Sequence, residues 1–330
     1  MKTADSRRKS SSPRNGAPAR LPAVRLVFFG SPGFAVPSLS ALVAAGHEVA
    51  LVVSQPARPV GRHGALTDPA VARLAKSLSL PLFQPASLRP EDAVARLAGP
   101  RADLFVVAAY GKILSQRVLD LPSLFCVNVH GSVLPRWRGA SPVQAAILAG
   151  DATTGVSIMK MDAGMDTGPV FAVRETPIRE ADTADSLGAR LSETGAALLV
   201  ETLGRLPLEP VPQDEARVTY CPKISREDGL VDWTRPAAEL VRRDRAFTSW
   251  PGIFTFRKKV RVKLGGLSLV ADWRRDAPPG AVVSVAPSLA VACGDGAVAV
   301  AELQAEGRKR LPAADFVRGE RVAPGEVWPS

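Results

Sequence analysis

From Val24 onward, short apolar runs alternate with amphipathic stretches, and this alternation is the strongest structural signal in the chain. Residues 25–30 (Arg-Leu-Val-Phe-Phe-Gly) form the first run and residues 47–54 the second. Both fall far short of the ~20 apolar residues that span a membrane, so they predict buried strands. Residues 33–45 predict a helix between them. Residues 68–78 predict another, with Asp68 as its N-cap and Pro69 at its first helical position. Further strands are expected over 102–108 and 124–128, and a long helix over 182–204 capped by Asp182 or Thr183. Strands that alternate with helices predict βαβ units, hence a parallel sheet covered on both faces. A ligand of such a sheet sits at the carboxyl ends of its strands.

The pattern changes past residue 205. Residues 206–215 contain Pro207, Pro210 and Pro212 and predict an interdomain linker. After a helical connector at 239–247, apolar segments at 252–256, 260–264, 267–270, 280–285, 289–293 and 297–303 lie between turn signals, which predicts a small β-barrel. At the other end, residues 1–22 are rich in Ser, Arg and Pro and have no apolar period, so they predict disorder. The expected organisation is a disordered basic tail (1–23), an α/β domain (24–205), a linker (206–219) and a β domain (220–330).

Charge sharpens this division. Residues 1–23 carry a net +5, residues 24–219 none, and residues 220–330 a net +5. A neutral first domain beside a basic second one suits a polyanion held mainly by the second, although ordinary surface solubility gives the same balance. The three cysteines, Cys126, Cys221 and Cys293, are far apart and form neither a disulfide framework nor a metal motif, so a reducing compartment is expected. With only three histidines, no protein-bound metal is expected. The first turn, Gly30-Ser31-Pro32-Gly33, places Pro32 where a dinucleotide fingerprint needs glycine, which argues against a nicotinamide cofactor. No phosphate-cradling G-x-x-x-x-G-K-[ST] loop occurs, which argues against ATP use.

The chemistry lies in Asn128-Val129-His130-Gly131-Ser132 and, further on, Met161-Asp162-Ala163-Gly164-Met165-Asp166-Thr167-Gly168. Side chains alternate along a strand, so Asn128 and His130 face the same way at a strand end, and Gly131 lets the backbone turn beside a ligand. An amide N–H can donate to a developing oxyanion, an imidazole can move a proton near neutral pH, and a carboxylate can orient it. Asn128, His130 and Asp166 together point to acyl transfer without a covalent intermediate. Taken alone, each reads more readily as a turn residue or a structural histidine, and it is their combination that points to chemistry.

The stretch from Asn128 through Pro135-Arg136-Trp137-Arg138-Gly139-Ala140 resembles the signature of the folate-dependent formyltransferases. So do Gln55-Pro56-Ala57-Arg58-Pro59-Val60-Gly61-Arg62, Phe83-Gln84-Pro85-Ala86-Ser87-Leu88-Arg89-Pro90, Ala108-Ala109-Tyr110-Gly111-Lys112-Ile113-Leu114 and Gly155-Val156-Ser157-Ile158-Met159-Lys160. Two late segments, Arg245-Ala246-Phe247-Thr248-Ser249-Trp250-Pro251-Gly252 and Leu303-Gln304-Ala305-Glu306-Gly307-Arg308-Lys309-Arg310, resemble the branch that acts on aminoacylated tRNA. The resemblance runs from Val24 almost to the C-terminus.

It implies a Rossmann-like parallel-sheet formyltransferase domain followed by an OB-like β-barrel that binds tRNA. It also implies formyl transfer from 10-formyltetrahydrofolate to the amine of initiator methionyl-tRNA, as a cytoplasmic monomer without a metal. Asn128, His130 and Asp166 take the catalytic positions, with Asp166 acting directly or through a water. Ser132, Val133, Leu134, Pro135, Tyr110 and Gly111 take the folate-binding positions. Arg62 takes a tRNA-contacting position, and the basic cluster Arg257, Lys258, Lys259 and Arg261 is a second expected tRNA contact unless it is a solvated strand edge. The loop at 61–68 lacks the family's lysines and adds Asp68. The alternatives are an RNA-binding module on an inactive formyltransferase fold, a sugar-nucleotide formyltransferase and a formyl-folate hydrolase.

Overall fold

The computed structural model describes residues 23–60, 64–271, 273 and 276–329. The expected basic tail through residue 22 and the expected tRNA contact Arg62 lie outside the described residues.

The first half builds one seven-stranded sheet. In chain order its elements, with two short side pairs, are β1 (Arg25–Gly30), α1 (Val36–Ala44), β2 (Glu48–Val53), β3 (Arg58–Val60), β4 (Ala65–Thr67), α2 (Ala70–Ser77), β5 (Leu82–Phe83), α3 (Glu91–Ala98), β6 (Leu104–Ala108), α4 (Gln116–Leu119), β7 (Phe125–His130), β8 (Arg138–Gly139), α5 (Pro142–Ala149), β9 (Thr153–Lys160), β10 (Val170–Pro177) and α6 (Ala184–Leu203). The strand order is β10-β9-β7-β6-β1-β2-β5. The continuous apolar run of β1 is buried on both faces. Leu26 and Phe28 enter one core and Val27 and Phe29 the other, as the two-residue period requires. In β7, Val127 and Val129 join the first core and Cys126 the second, so Asn128 and His130 project from the Cys126 face.

The expected parallel sheet is mixed. β1, β2, β5, β6 and β7 run parallel, but β9 pairs antiparallel with β7, and β10 antiparallel with β9. An antiparallel pair needs only a short connection, and residues 161–169 supply it. The aspartate-rich motif is therefore a hairpin loop beside β7. β1 lies between β2 and β6, a reversal that opens a crevice at the carboxyl ends of the strands.

Two helix starts differ in outcome. Thr183 caps α6 in a capping box with Ser186, as its sequence suggests. Asp68 does not cap α2. Pro69 occupies the cap position without a side-chain hydrogen bond, and the Asp68 carboxylate instead pairs with Lys76 and accepts from Gln84 Nε2 at 3.1 Å. Beside the α6 cap, Asp182 is 4% exposed and holds Arg190 at 2.5 Å. It also accepts from the Arg179 amide and the Ser186 hydroxyl. The Arg190 guanidinium in particular holds its carboxyl down at about 2. Because the folded value lies below the ordinary one, this contribution to stability is complete above the ordinary range near 3.8 and is lost as pH falls toward about 2. Removing one partner of a buried pair costs about 3 kcal/mol. Asp182→Ala is therefore expected to lower the unfolding free energy by that amount at pH 7 and to flatten the acid limb of the stability profile. Unchanged unfolding at pH 7 would contradict the assignment.

The second half begins with β11 (Tyr220–Cys221) and α7 (Ala237–Ala246). It continues through β12 (Ile253–Arg257), β13 (Val260–Leu269), β14 (Val282–Ser284), β15 (Leu289–Ala292), β16 (Ala297–Ala305), β17 (Leu311–Pro312) and α8 (Ala313–Glu320). β12-β13-β16-β15-β14 form a curled antiparallel sheet of half-barrel type, with β17 paired to β16. The two strands expected at 260–264 and 267–270 are one strand, β13. Gly266, at φ 67°, sits at a skipped pair opposite Ala301 and bends the strand without ending it. α7 docks on the first half: Arg242 Nε donates to the Leu148 carbonyl (3.1 Å) and Arg245 Nη1 to the Glu180 carbonyl (2.7 Å).

Candidate active site

The site begins where β7 ends. Asn128 Nδ2 donates to Asp166 Oδ1 at 3.3 Å, and His130 Nδ1 faces Asp166 Oδ2 at 3.6 Å. His130 is 5% exposed, and its Nε2 donates to the Trp137 carbonyl at 3.0 Å. A carbonyl only accepts, so this contact fixes a proton on Nε2 and leaves Nδ1 as the nitrogen that exchanges one, directly opposite the carboxylate. The Asn128 amide has a second N–H beyond the one directed at Asp166. The structure thus brings the three expected residues together through Asp166.

The loop that delivers Asp166 is braced internally. Asp162 Oδ1 accepts from the Gly164 amide (3.1 Å) and the Thr167 hydroxyl (2.7 Å). A Cβ on Gly164 would meet Thr167 Oγ1 at 2.0 Å, and one on Gly168 would meet the Lys160 carbonyl at 1.9 Å. The spacing of glycines in the motif therefore has a steric cause. Asp166 itself sits at φ 54°, a left-handed conformation that a non-glycine residue adopts only when its surroundings hold it there.

Gly131, expected to permit a close turn, has room for a methyl group, with its nearest neighbour, Val143 Cγ2, at 3.5 Å. The glycine the site requires is Gly139, at φ 122°, where a Cβ would lie 2.2 Å from the Cys221 carbonyl. The Gly139 amide donates to Asp166 Oδ2 at 2.9 Å. β8, which carries it, pairs in parallel with β11.

The turn between His130 and Gly139 is held from several sides. Trp137, at φ 62°, donates its backbone N–H to Thr219 Oγ1 (2.9 Å) and its indole N–H to Asp151 (2.8 Å), which also pairs with Arg136 through both oxygens. These anchors aim the Trp137 carbonyl at His130. Arg138 is 1% exposed and donates to Gln213 and Glu215. None of Gln213, Glu215, Thr219 or Cys221 was legible as part of the site. Gln213, Glu215 and Thr219 belong to the connection at 206–219, and Cys221 to the two-residue strand β11 that follows it, where no periodicity marks an inward-facing residue.

Several expected ligand contacts turn inward. Ser132 is fully buried and donates to the Arg136 carbonyl, while its own carbonyl accepts from Ser157. The Leu134 amide donates to Ser157 Oγ, and its side chain is 7% exposed. Tyr110 is 2% exposed and packs edge-on against Phe29. Its hydroxyl has no partner among the described residues, and burial pushes it up to about 12. Ser132, Leu134 and Tyr110 thus support the crevice from behind. Ala109 and Gly111 are exposed at the rim, and Val133 and Pro135 are half-buried. A Cβ on Gly111 would meet nothing within 4 Å. A separate cavity of about 410 Å³ between α5 and α7 borders none of Asn128, His130 or Asp166.

The basic cluster also divides. Arg257 is 4% exposed and locked to Glu320 and Glu326, so its expected phosphate contact is corrected to a buried structural pair. Lys258 and Lys259, both at positive φ, form the exposed turn between β12 and β13. Arg261 is partly neutralised by Glu306 at 2.9 Å.

Fold and site define an α/β group transferase with an appended half-barrel. The family model described as formyl transferase matches residues 24–203, and that of the formyl transferase C-terminal domain matches residues 223–321. The methionyl-tRNA formyltransferase of Dechloromonas aromatica is 49% identical over 92% of this chain and 98% of its own length. That of Gluconobacter oxydans is 47% identical over 92% and 99%. The chain belongs to the methionyl-tRNA formyltransferase family. Among solved structures, HypX from Aquifex aeolicus in complex with tetrahydrofolic acid superposes with a TM-score of 0.62 at 20% identity, covering 90% of this chain. This chain spans about half, 47%, of that one. An N-formyltransferase from Helicobacter canadensis gives a TM-score of 0.62 at 16% identity, covering 87% of this chain and all of its own. These two likenesses establish the fold.

Proposed function

We propose that the protein transfers the formyl group of 10-formyltetrahydrofolate to the free amine of initiator methionyl-tRNA. The observation that carries the reading is Asp166 held against both Asn128 and His130 at a crevice of the sheet. The second Asn128 N–H donates to the formyl oxygen as it gains negative charge. As the amine bonds to the formyl carbon, His130 accepts its proton at Nδ1. It returns one to the folate nitrogen when the bond from that nitrogen to the formyl carbon breaks, and Asp166 stabilises the intervening cation through space. Asp166 faces His130 at 3.6 Å, longer than a direct hydrogen bond, so it acts by charge and orientation. Ala109, Gly111, Val133 and Pro135 line the donor's seat.

Residues 24–205 form the catalytic unit and 220–330 the tRNA-binding unit, a division supported by their separate sheets. Asn128, His130 and Asp166 converge within one chain, and a working monomer is part of the proposal. Three buried, free cysteines suit the reducing cytoplasm. No helix among the described residues is long and apolar enough to cross a membrane.

Arg62, Lys258 and Lys259 are the proposed phosphate contacts. Each neutralised phosphate steepens the weakening of binding with salt. In a formylation assay with initiator methionyl-tRNA, the KM for tRNA is expected to rise with salt. A Lys258→Ala/Lys259→Ala variant is expected to show a shallower slope at an unchanged KM for formyl-folate. No formylmethionyl-tRNA from the wild type would overturn the function. An unchanged slope would return the two lysines to the role of a solvated turn.

A further inference from the structure

The connection between the two sheets is wrapped around the catalytic loop. Val211 and Val170 exchange backbone hydrogen bonds at 2.8 Å, at the foot of the hairpin that carries Asp166. Two residues on, Gln213 Nε2 donates to the Asp166 carbonyl at 2.8 Å and to the Gly168 carbonyl at 2.7 Å. A primary amide carries two N–H groups, and both are used on this one loop. The other end of the amide, Oε1, accepts from Arg138 Nε at 3.0 Å. Arg138 is almost wholly buried and is held in turn by Glu215. The amide is therefore oriented at both ends.

Asp166 needs such a hold. Its φ of 54° is sparsely populated for a residue with a side chain, and relaxation of the backbone would swing the carboxylate away from His130 and Asn128. The carboxylate is tied to the same region of chain, because Gly139, which donates to Oδ2, belongs to the strand paired with β11.

We propose that Gln213, oriented by Arg138, is a positioning residue that latches the catalytic loop, so that the interdomain connection sets the geometry of Asp166. The inference rests on the reading of Asp166 as the charge behind His130. Gln213 touches no substrate and acts only through Asp166.

The test is a double-mutant cycle in the full-length protein. Gln213→Ala is expected to lower kcat for formyl transfer by about ten- to a hundredfold, the range for a displacement near an ångström, with the KM values of both substrates and the Tm held. In an Asp166→Ala background the same substitution is expected to change kcat by less than about twofold, because what it positions is gone. Gln213→Glu, which still accepts from Arg138 but cannot donate to the carbonyls when ionised, is expected to show the same kcat loss and secures the result if the Ala variant folds poorly. Equal losses from Gln213→Ala in both backgrounds, or wild-type kcat in both Gln213 variants, would overturn the latch. Wild-type kcat in Asp166→Ala alone would overturn the role of Asp166 itself, and the latch with it.

Discussion

Replacing Asn128 with alanine is expected to lower kcat for formyl transfer by about a hundredfold or more, the usual cost of one lost oxyanion donor. The KM for formyl-folate should change little, because the carbonyl oxygen of the bound donor has yet to gain the charge that makes the contact strong. Asn128 sits mid-sheet between β6 and β9, and its side chain is half-buried, so the shortened residue leaves the backbone pairing intact. A near-normal kcat with a raised KM would move Asn128 from the reacting centre to substrate binding.

His130→Ala and Asp166→Asn are each expected to cost about a hundredfold or more in kcat, and the double substitution little more than the worse single one. The two act as a unit. Trp137 fixes the proton on Nε2, so the only nitrogen free to exchange a proton faces Asp166. Asp166→Asn keeps the size of the side chain and removes the charge that stabilises the protonated ring. The carboxylate also accepts from the Gly139 amide, a bond the new side chain keeps only through its carbonyl oxygen. Folding should survive, because the hairpin loop is braced independently by Asp162. Measured rates that multiply in the double variant would mean that the two residues serve separate steps.

What the sequence conveyed was local. The apolar run of β1 and the two-residue spacing of Asn128 and His130 follow from a strand's own periodicity, and each kept its meaning in the fold. What it hid depends on distant partners. Arg257 reads as surface charge beside two lysines, yet it turns inward to Glu320 and Glu326, more than 60 residues away. Thr219 and Gln213 lie in a segment without period, and their partners Trp137 and Asp166 are 82 and 47 residues distant. The reversal of β9 was hidden for a related reason: the loop that joins it to β10 looked like chemistry alone. Gly131 and Gly139 are indistinguishable as letters, and only the approach of Cys221 makes the second indispensable.

The most direct measurement offers the purified protein 10-formyltetrahydrofolate labelled in the formyl group together with one of two acceptors, initiator methionyl-tRNA or a nucleotide-linked amino sugar. The account predicts that label passes to the methionyl amine of the tRNA, that the amino sugar stays unlabelled, and that no label remains on the protein when the acceptor is omitted. Label on the sugar in place of the tRNA, or a labelled protein formed before transfer, would contradict it.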